Sequence, residues 1–111
     1  LSFEENKDVL LRMGQAFLEN NDMQDAQSVQ TKLFGLDETK GDYLKSMIDL
    51  QTATDKVKDS QKKLDEANKI DNKDKSKGDK VKVAKSNLDS AKKDEKLAKD
   101  KVDSLKNKIG A

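Results

Sequence analysis

The sequence contains no cysteine, no histidine, no proline and no tryptophan, and only 5 of its 111 residues are glycine. Each absence removes something. Without cysteine there are no disulfides and no thiolate ligands or nucleophiles, and without histidine there is no imidazole ligand and no imidazole general base. A helical chain needs no disulfide in any compartment, so the redox environment stays open. With no proline and little glycine, few residues interrupt a long helix. No apolar run approaches the roughly 20 residues that cross a bilayer. Aromatic residues are also scarce: Phe3, Phe17, Phe34 and Tyr43 are all of them, and they fall in the first 43 positions.

Charge is what the chain has in abundance. Charged residues make up 41% and hydrophobic residues 32%, with a mean hydropathy of −1.01. That is too little apolar surface for an ordinary compact globule to offset chain entropy. Two options remain: disorder, or long helices that bury only a narrow stripe. The net charge of +1 hides an asymmetry. Residues 1–54 carry 5 cationic and 10 anionic side chains, and residues 55–111 carry 18 and 12. Opposite halves of this kind attract one another within a dimer, a filament or a folded-back monomer. The abundance of Lys, Asn and Asp fits an AT-rich genome, bacterial or phage.

The local pattern favours helices. Ser2-Phe3-Glu4-Glu5 has the spacing of a capping box, and Val9, Leu10, Met13, Ala16 and Phe17 share one helical face. This predicts a helix over 3–20, ended by Asn20-Asn21-Asp22, which also offers a new N-cap. A second helix comes next, over 23–34, with Met23, Ala26, Val29, Leu33 and Phe34 on its face. Gly35 then suits a left-handed C′ position, Asp37 or Thr39 can cap the third helix, and Gly41 is a further weak point. A continuous helix through this region is the alternative.

A seven-residue beat runs through Val29, Leu36, Tyr43, Leu50, Val57 and Leu64, and three residues after each come small residues from Thr39 onward: Ser46, Ala53, Ser60 and Ala67. The beat returns with Val81, Leu88, Glu95, Val102 and Ile109, accompanied by Ala84, Ala91, Ala98 and Leu105. This is coiled-coil patterning. Between the two runs lies DNKDKSKGD, turn chemistry with Asp79 as an expected N-cap of the returning helix. A connection this short makes the two helices antiparallel neighbours. From Tyr43 to Ile109 the large/small alternation resembles the close-packed antiparallel arrangement called an Alacoil, a likeness of architecture that implies no activity.

The expected fold is therefore all-α. One or two N-terminal helices (1–35) pack at the open end of a long antiparallel hairpin (36–70 and 79–109), closed by a basic loop (71–78), as a single domain. The seam comprises Tyr43, Leu50, Ala53, Val57, Leu64, Ala84, Leu88, Ala91, Ala98 and Val102. The core is expected among the aromatic N-terminal residues, and the loop end is expected to fray. Glu95 in the seam is expected to reach outward, with Leu97 or Ala98 taking its contact. Acid-first pairs at i, i+4, Asp59–Lys63, Asp65–Lys69, Asp89–Lys93 and Glu95–Lys99, support the exposed faces.

The motifs of chemistry are missing. There is no phosphate-binding glycine loop. DNKDKSKGD lacks the closing Glu of a calcium loop and is filled with lysine. The carboxylates alternate with lysines, as on a solvated face. The sequence thus points away from an enzyme, a cofactor, a metal or a small-molecule substrate, and towards a protein partner or self-association. The candidate partner surface is Phe3, Leu10, Met13, Phe17 and Phe34. The lysines at the turn, Lys73, Lys75, Lys77 and Lys80, form a candidate anion contact. Interspersed aspartates and the lack of arginine and stacking aromatics there argue against nucleic acid, and the acidic polar face of the first 35 residues argues against a membrane surface.

The leading expectation is a non-catalytic interaction or structural subunit, of a secretion or phage assembly, or an adaptor or chaperone. Leu33-Phe34-Gly35 stands where the WXG100 family of helical secretion substrates has its W-x-G turn. The tryptophan is absent here, however, and the longest hairpin comes after that turn, so membership is not assigned. The alternatives are a stress-type protein, since LAKDKVDSLKNKIGA at 97–111 resembles late-embryogenesis-abundant repeats, or a nucleic-acid-associated protein using the lysine loop. The chain starts at Leu1, so a removed signal peptide stays possible, and either a cytoplasmic or a secreted location fits.

Overall fold

A computed structural model of the chain describes the backbone of residues 3–110 and the side chains of residues 6–110. The Ser2–Glu5 capping box and the Phe3 side chain lie outside the described residues. Four helices occur in order: α1 (Phe3–Glu19), α2 (Met23–Leu36), α3 (Glu38–Asn68) and α4 (Lys77–Ile109). Among the described residues there is no strand. The fold is all-α, with α3 and α4 as the helical hairpin and α1 and α2 packed at its open end. Contacts gather the chain into two units, residues 1–51 with 98–111, and residues 52–97.

In the first unit, α1 ends where the three polar residues Asn20-Asn21-Asp22 suggest. Asn21 takes a left-handed φ of 63°, which asparagine tolerates better than most residues. Its N–H bonds Leu18 O at 3.0 Å, and the Asp22 N–H reaches back to Phe17 O at 2.8 Å. This is the paired closure of a Schellman motif. Asp22 then caps α2, its Oδ1 accepting the Asp25 N–H at 3.2 Å.

The α2–α3 junction has the expected break, with Asp37 as the cap of α3, but departs from expectation at Gly35. Gly35 is not a left-handed C′ residue but lies inside α2, which runs on to Leu36. The break is a single extended residue, Asp37, at φ −154° and ψ 105°. Asp37 serves both helices. Its N–H bonds Leu33 O at 2.8 Å to close α2, and its carboxylate accepts the Lys40 N–H at 3.1 Å to open α3. A residue that closes α2 with its N–H and satisfies one orphan donor of α3 with its side chain makes a glycine stop unnecessary. The hairpin's first helix therefore begins at 38 rather than 36 and is not continuous with α2.

Gly41 is no weak point either. It is buried inside α3, where a Cβ would lie 2.4 Å from Phe34 Cα. The missing side chain lets α2 and α3 approach closely, and Gln30 Nε2 donates across the gap to Gly41 O at 3.1 Å. Gly14 does the same for α1 against Leu44.

The core of this unit is Leu18, Ala26, Val29, Leu33, Leu44 and Ile48, with Leu10, Leu11, Phe17, Met23 and Met47 packed against it. It lies in the N-terminal part of the chain, but it is aliphatic rather than aromatic. Of the described aromatics, Phe17 is half-buried, Tyr43 is buried and Phe34 is 41% exposed.

In the second unit, α3 ends at Asn68 and α4 begins at Lys77, two residues before the expected start. Asp79 is consequently not the N-cap. It sits in the first turn of α4, where a carboxylate still complements the helix dipole. The connection between the helices is a set of ordered turns. Asp71 accepts the Lys73 N–H at 2.9 Å, and Asp74 accepts both the Ser76 N–H at 2.8 Å and the Ser76 hydroxyl at 2.6 Å.

Candidate binding surface

Most small residues of the seam are buried, and most of the large ones are half-buried. Ala53, Ser60, Ala67, Ala84 and Ala91 are all buried, Ala91 completely. Leu50, Val57, Leu64, Ala98 and Val102 are half-buried, while Tyr43 and Leu88 are buried. When two backbones approach over Ala and Ser, the short side chains vanish between them and the longer ones on the flanking row are only partly covered. Ser46, 1% exposed, satisfies its hydroxyl by donating to Tyr43 O at 2.6 Å, so a polar atom in the seam costs little. Glu95 is half-buried, and Leu97 does not take its place in the seam, being 60% exposed. Of the i, i+4 pairs, Asp59–Lys63 closes at 3.1 Å, whereas Asp65 accepts instead from Gln61 Nε2 at 3.0 Å.

The residues proposed as a partner surface do not form one open face. The Phe3 side chain lies outside the described residues, Leu10 and Phe17 pack on the protein's own core, and Met13 and Phe34 are exposed. The lysines at the turn are likewise dispersed. Lys73 and Lys75 are exposed in the turns, Lys77 donates to Asn72 Oδ1 at 2.6 Å, and Lys80 stands on the rim of a groove. The Ser76 hydroxyl, then its N–H, hold the Asp74 carboxyl below its ordinary range, so negative charge persists among these lysines.

That groove is a feature the sequence did not disclose. It has a volume of about 820 Å3 and lies wholly within the 52–97 unit, between α3 and α4. Ser60, Ala67 and Ala84 form its floor, and Ile70 and Val83 form one apolar end. Lys56, Asp59, Lys63 and Glu66 line its α3 rim. The row of small residues explains it: short side chains leave a trough that longer ones on either side wall in. Val83 is 59% exposed there.

A second cluster was also hidden. Lys7, 8% exposed, pairs with Asp37 at 3.5 Å, and Lys40 pairs with Asp8 at 3.1 Å. These four charges tie the start of α1 to the α2–α3 junction. The Asp37 carboxyl is held below its ordinary range chiefly by the Lys40 N–H, against the opposing effect of burial and with help from the Lys7 ammonium. The cluster serves as a clip between helices. Asp25 is shifted the other way, raised by its hydrogen bond to Asp22 in the α2 cap.

Among the described residues, no helix is long and apolar enough to cross a membrane. Comparison with protein-family models, with curated proteins and with solved structures finds no match to the chain.

Proposed function

We propose that the protein is a non-catalytic helical subunit or adaptor that acts by protein–protein contact through the hairpin segment 52–97. The observation that carries this reading is the groove. Its floor is made of small residues, two alanines and a serine, its apolar end exposes Val83, and its rim carries both signs of charge. A trough of this kind accepts the apolar stripe of another helix, with the rim charges pairing at its edges. Balanced charge suits a protein surface better than a polyanion. Among the described residues, the carboxyls with shifted acidity, at Asp25, Asp37 and Asp74, belong to a helix cap, a helix junction and a turn. Each shift has a structural cause there, which favours a structural protein over acid–base catalysis.

The test is the size of the species formed in the source cells. Full-length tagged chain is crosslinked in situ, and its native mass is compared with that of a Val83→Glu variant. The wild-type chain is expected in a larger species that the variant loses. A tagged chain found alone, at the mass of one chain and its tag, would sink the proposal.

A further inference from the structure

The charges on the groove's rim follow a self-complementary order, and the inference drawn from it rests on the contact function proposed above. Along α3 its rim reads Lys56, Asp59, Lys63, Glu66, alternately positive and negative. Reversed, this order is its own complement. If a second α3 runs antiparallel about a two-fold axis at Gln61, Lys56 meets Glu66 of the second copy and Asp59 meets Lys63 of the second copy. A parallel alignment in the same register would set like charges together.

On α4, Val83 and Ser90 line the groove and Leu97 continues their row beyond it. Val83, Ser90 and Leu97 recur at intervals of seven, on one row of the helix. Val83 and Leu97 are 59% and 60% exposed, the two most exposed large hydrophobic residues described. A two-fold axis at Ser90 sets Val83 against Leu97 of the second copy, with the small serine at the centre. An antiparallel hairpin that places buried Ala67 opposite Ala84, and Ser60 opposite Ala91, also places Gln61 level with Ser90. In that register the charges of one helix and the exposed apolar residues of the other are symmetric about one axis.

We infer that the groove face is an isologous interface for a second copy of this chain, packing α3 and α4 of each copy into a four-helix arrangement. A two-fold contact requires this self-complementarity, and alternating rim charges fix its register. The Asp59–Lys63 pair already formed within one helix at 3.1 Å is exposed and worth little alone. Across the axis it becomes part of a set of four alternating charges.

Sedimentation equilibrium of the purified full chain tests this. The wild type is expected to reach twice 12.4 kDa reversibly with concentration. An acidic variant, Lys56→Glu with Lys63→Glu, and a basic variant, Asp59→Lys with Glu66→Lys, should each dimerise at least about tenfold more weakly. Their equimolar mixture should recover the dimer as a mixed species, resolved by native mass spectrometry. Circular dichroism verifies that each remains helical. If either fails to fold, Val83→Ser with Leu97→Ser, both at exposed positions, should weaken the dimer by a similar factor. A wild type that stays monomeric at millimolar concentration overturns the inference, as does a dimer indifferent to these changes. In either case a larger species in the source cells would still support contact with a different protein, so the two proposals fail separately.

Discussion

Gly41→Ala is the sharpest steric perturbation of the α2–α3 contact. The added Cβ would lie 2.4 Å from Phe34 Cα, 2.6 Å from Phe34 Cβ and 2.8 Å from Phe34 N, where ordinary contact begins near 3.4 Å. Two of those atoms are backbone, so no rotamer change relieves the overlap and the helices must part by about 1 Å. Parting them also stretches the Gln30–Gly41 hydrogen bond. Overpacking costs about 1–3 kcal/mol and a weakened hydrogen bond about 1 kcal/mol, while alanine in place of glycine in a helix returns about 1 kcal/mol. The net loss is about 2 kcal/mol, or about 10 °C in Tm for a chain of this size. Gly35→Ala is the matched control. It lies in the adjacent helix with nothing within 4 Å of the new Cβ, so only the propensity gain of about 0.5–1 kcal/mol applies and Tm should rise. Thermal unfolding measured by circular dichroism, with urea titration for the free energies, reads both. Equal stabilisation by the two substitutions would refute the close approach of α2 and α3.

Ala91 is fully buried in the α4 row of small residues, and Ala91→Leu should cost about 1–3 kcal/mol by forcing the hairpin helices apart; an unchanged or higher melting temperature would show that they are not closely packed there. Acid probes Asp37, whose carboxyl is held below the ordinary value of 3.8. A carboxylate with a depressed folded pKa contributes its full stabilisation above the unfolded value and loses it as pH falls through the folded value. Asp37→Asn keeps a capping oxygen but not the charge facing Lys7. The stability gap between wild type and Asp37→Asn should therefore be constant near neutral pH and shrink below about pH 4, and a gap that persists undiminished in urea titrations at lower pH would refute the charge cluster as its origin.

What the sequence discloses here depends on whether one helix or two are needed to read it. The seven-residue beat from Tyr43 to Leu64 and from Val81 to Ile109 is a property of single helices, and it marks the hairpin without any knowledge of its partner. The polar stop at Asn20-Asn21-Asp22 is equally local. Leu44 and Ile48 show the limit. They lie one turn apart on α3 and are nearly or fully buried, yet beside the heptad they look like extra apolar residues, because their reason is the pair of helices packed against that end. Gly35 and Gly41 are indistinguishable as letters. One is a helical position open to solvent, and the other is the contact point of two backbones. Asp37 ends a helix without glycine because it bonds both neighbours at once, an arrangement that sequence spacing permits equally at Thr39. The groove needs both arms together. Its floor is legible as small residues on each helix, but its rim acquires meaning only when Lys56, Asp59, Lys63 and Glu66 on one arm and Val83, Ser90 and Leu97 on the other are set level. Read along the chain, the former are alternating charges on a solvated face. Read across the hairpin, they share a centre with the most exposed apolar side chains, and that coincidence is a reason to look for a second copy.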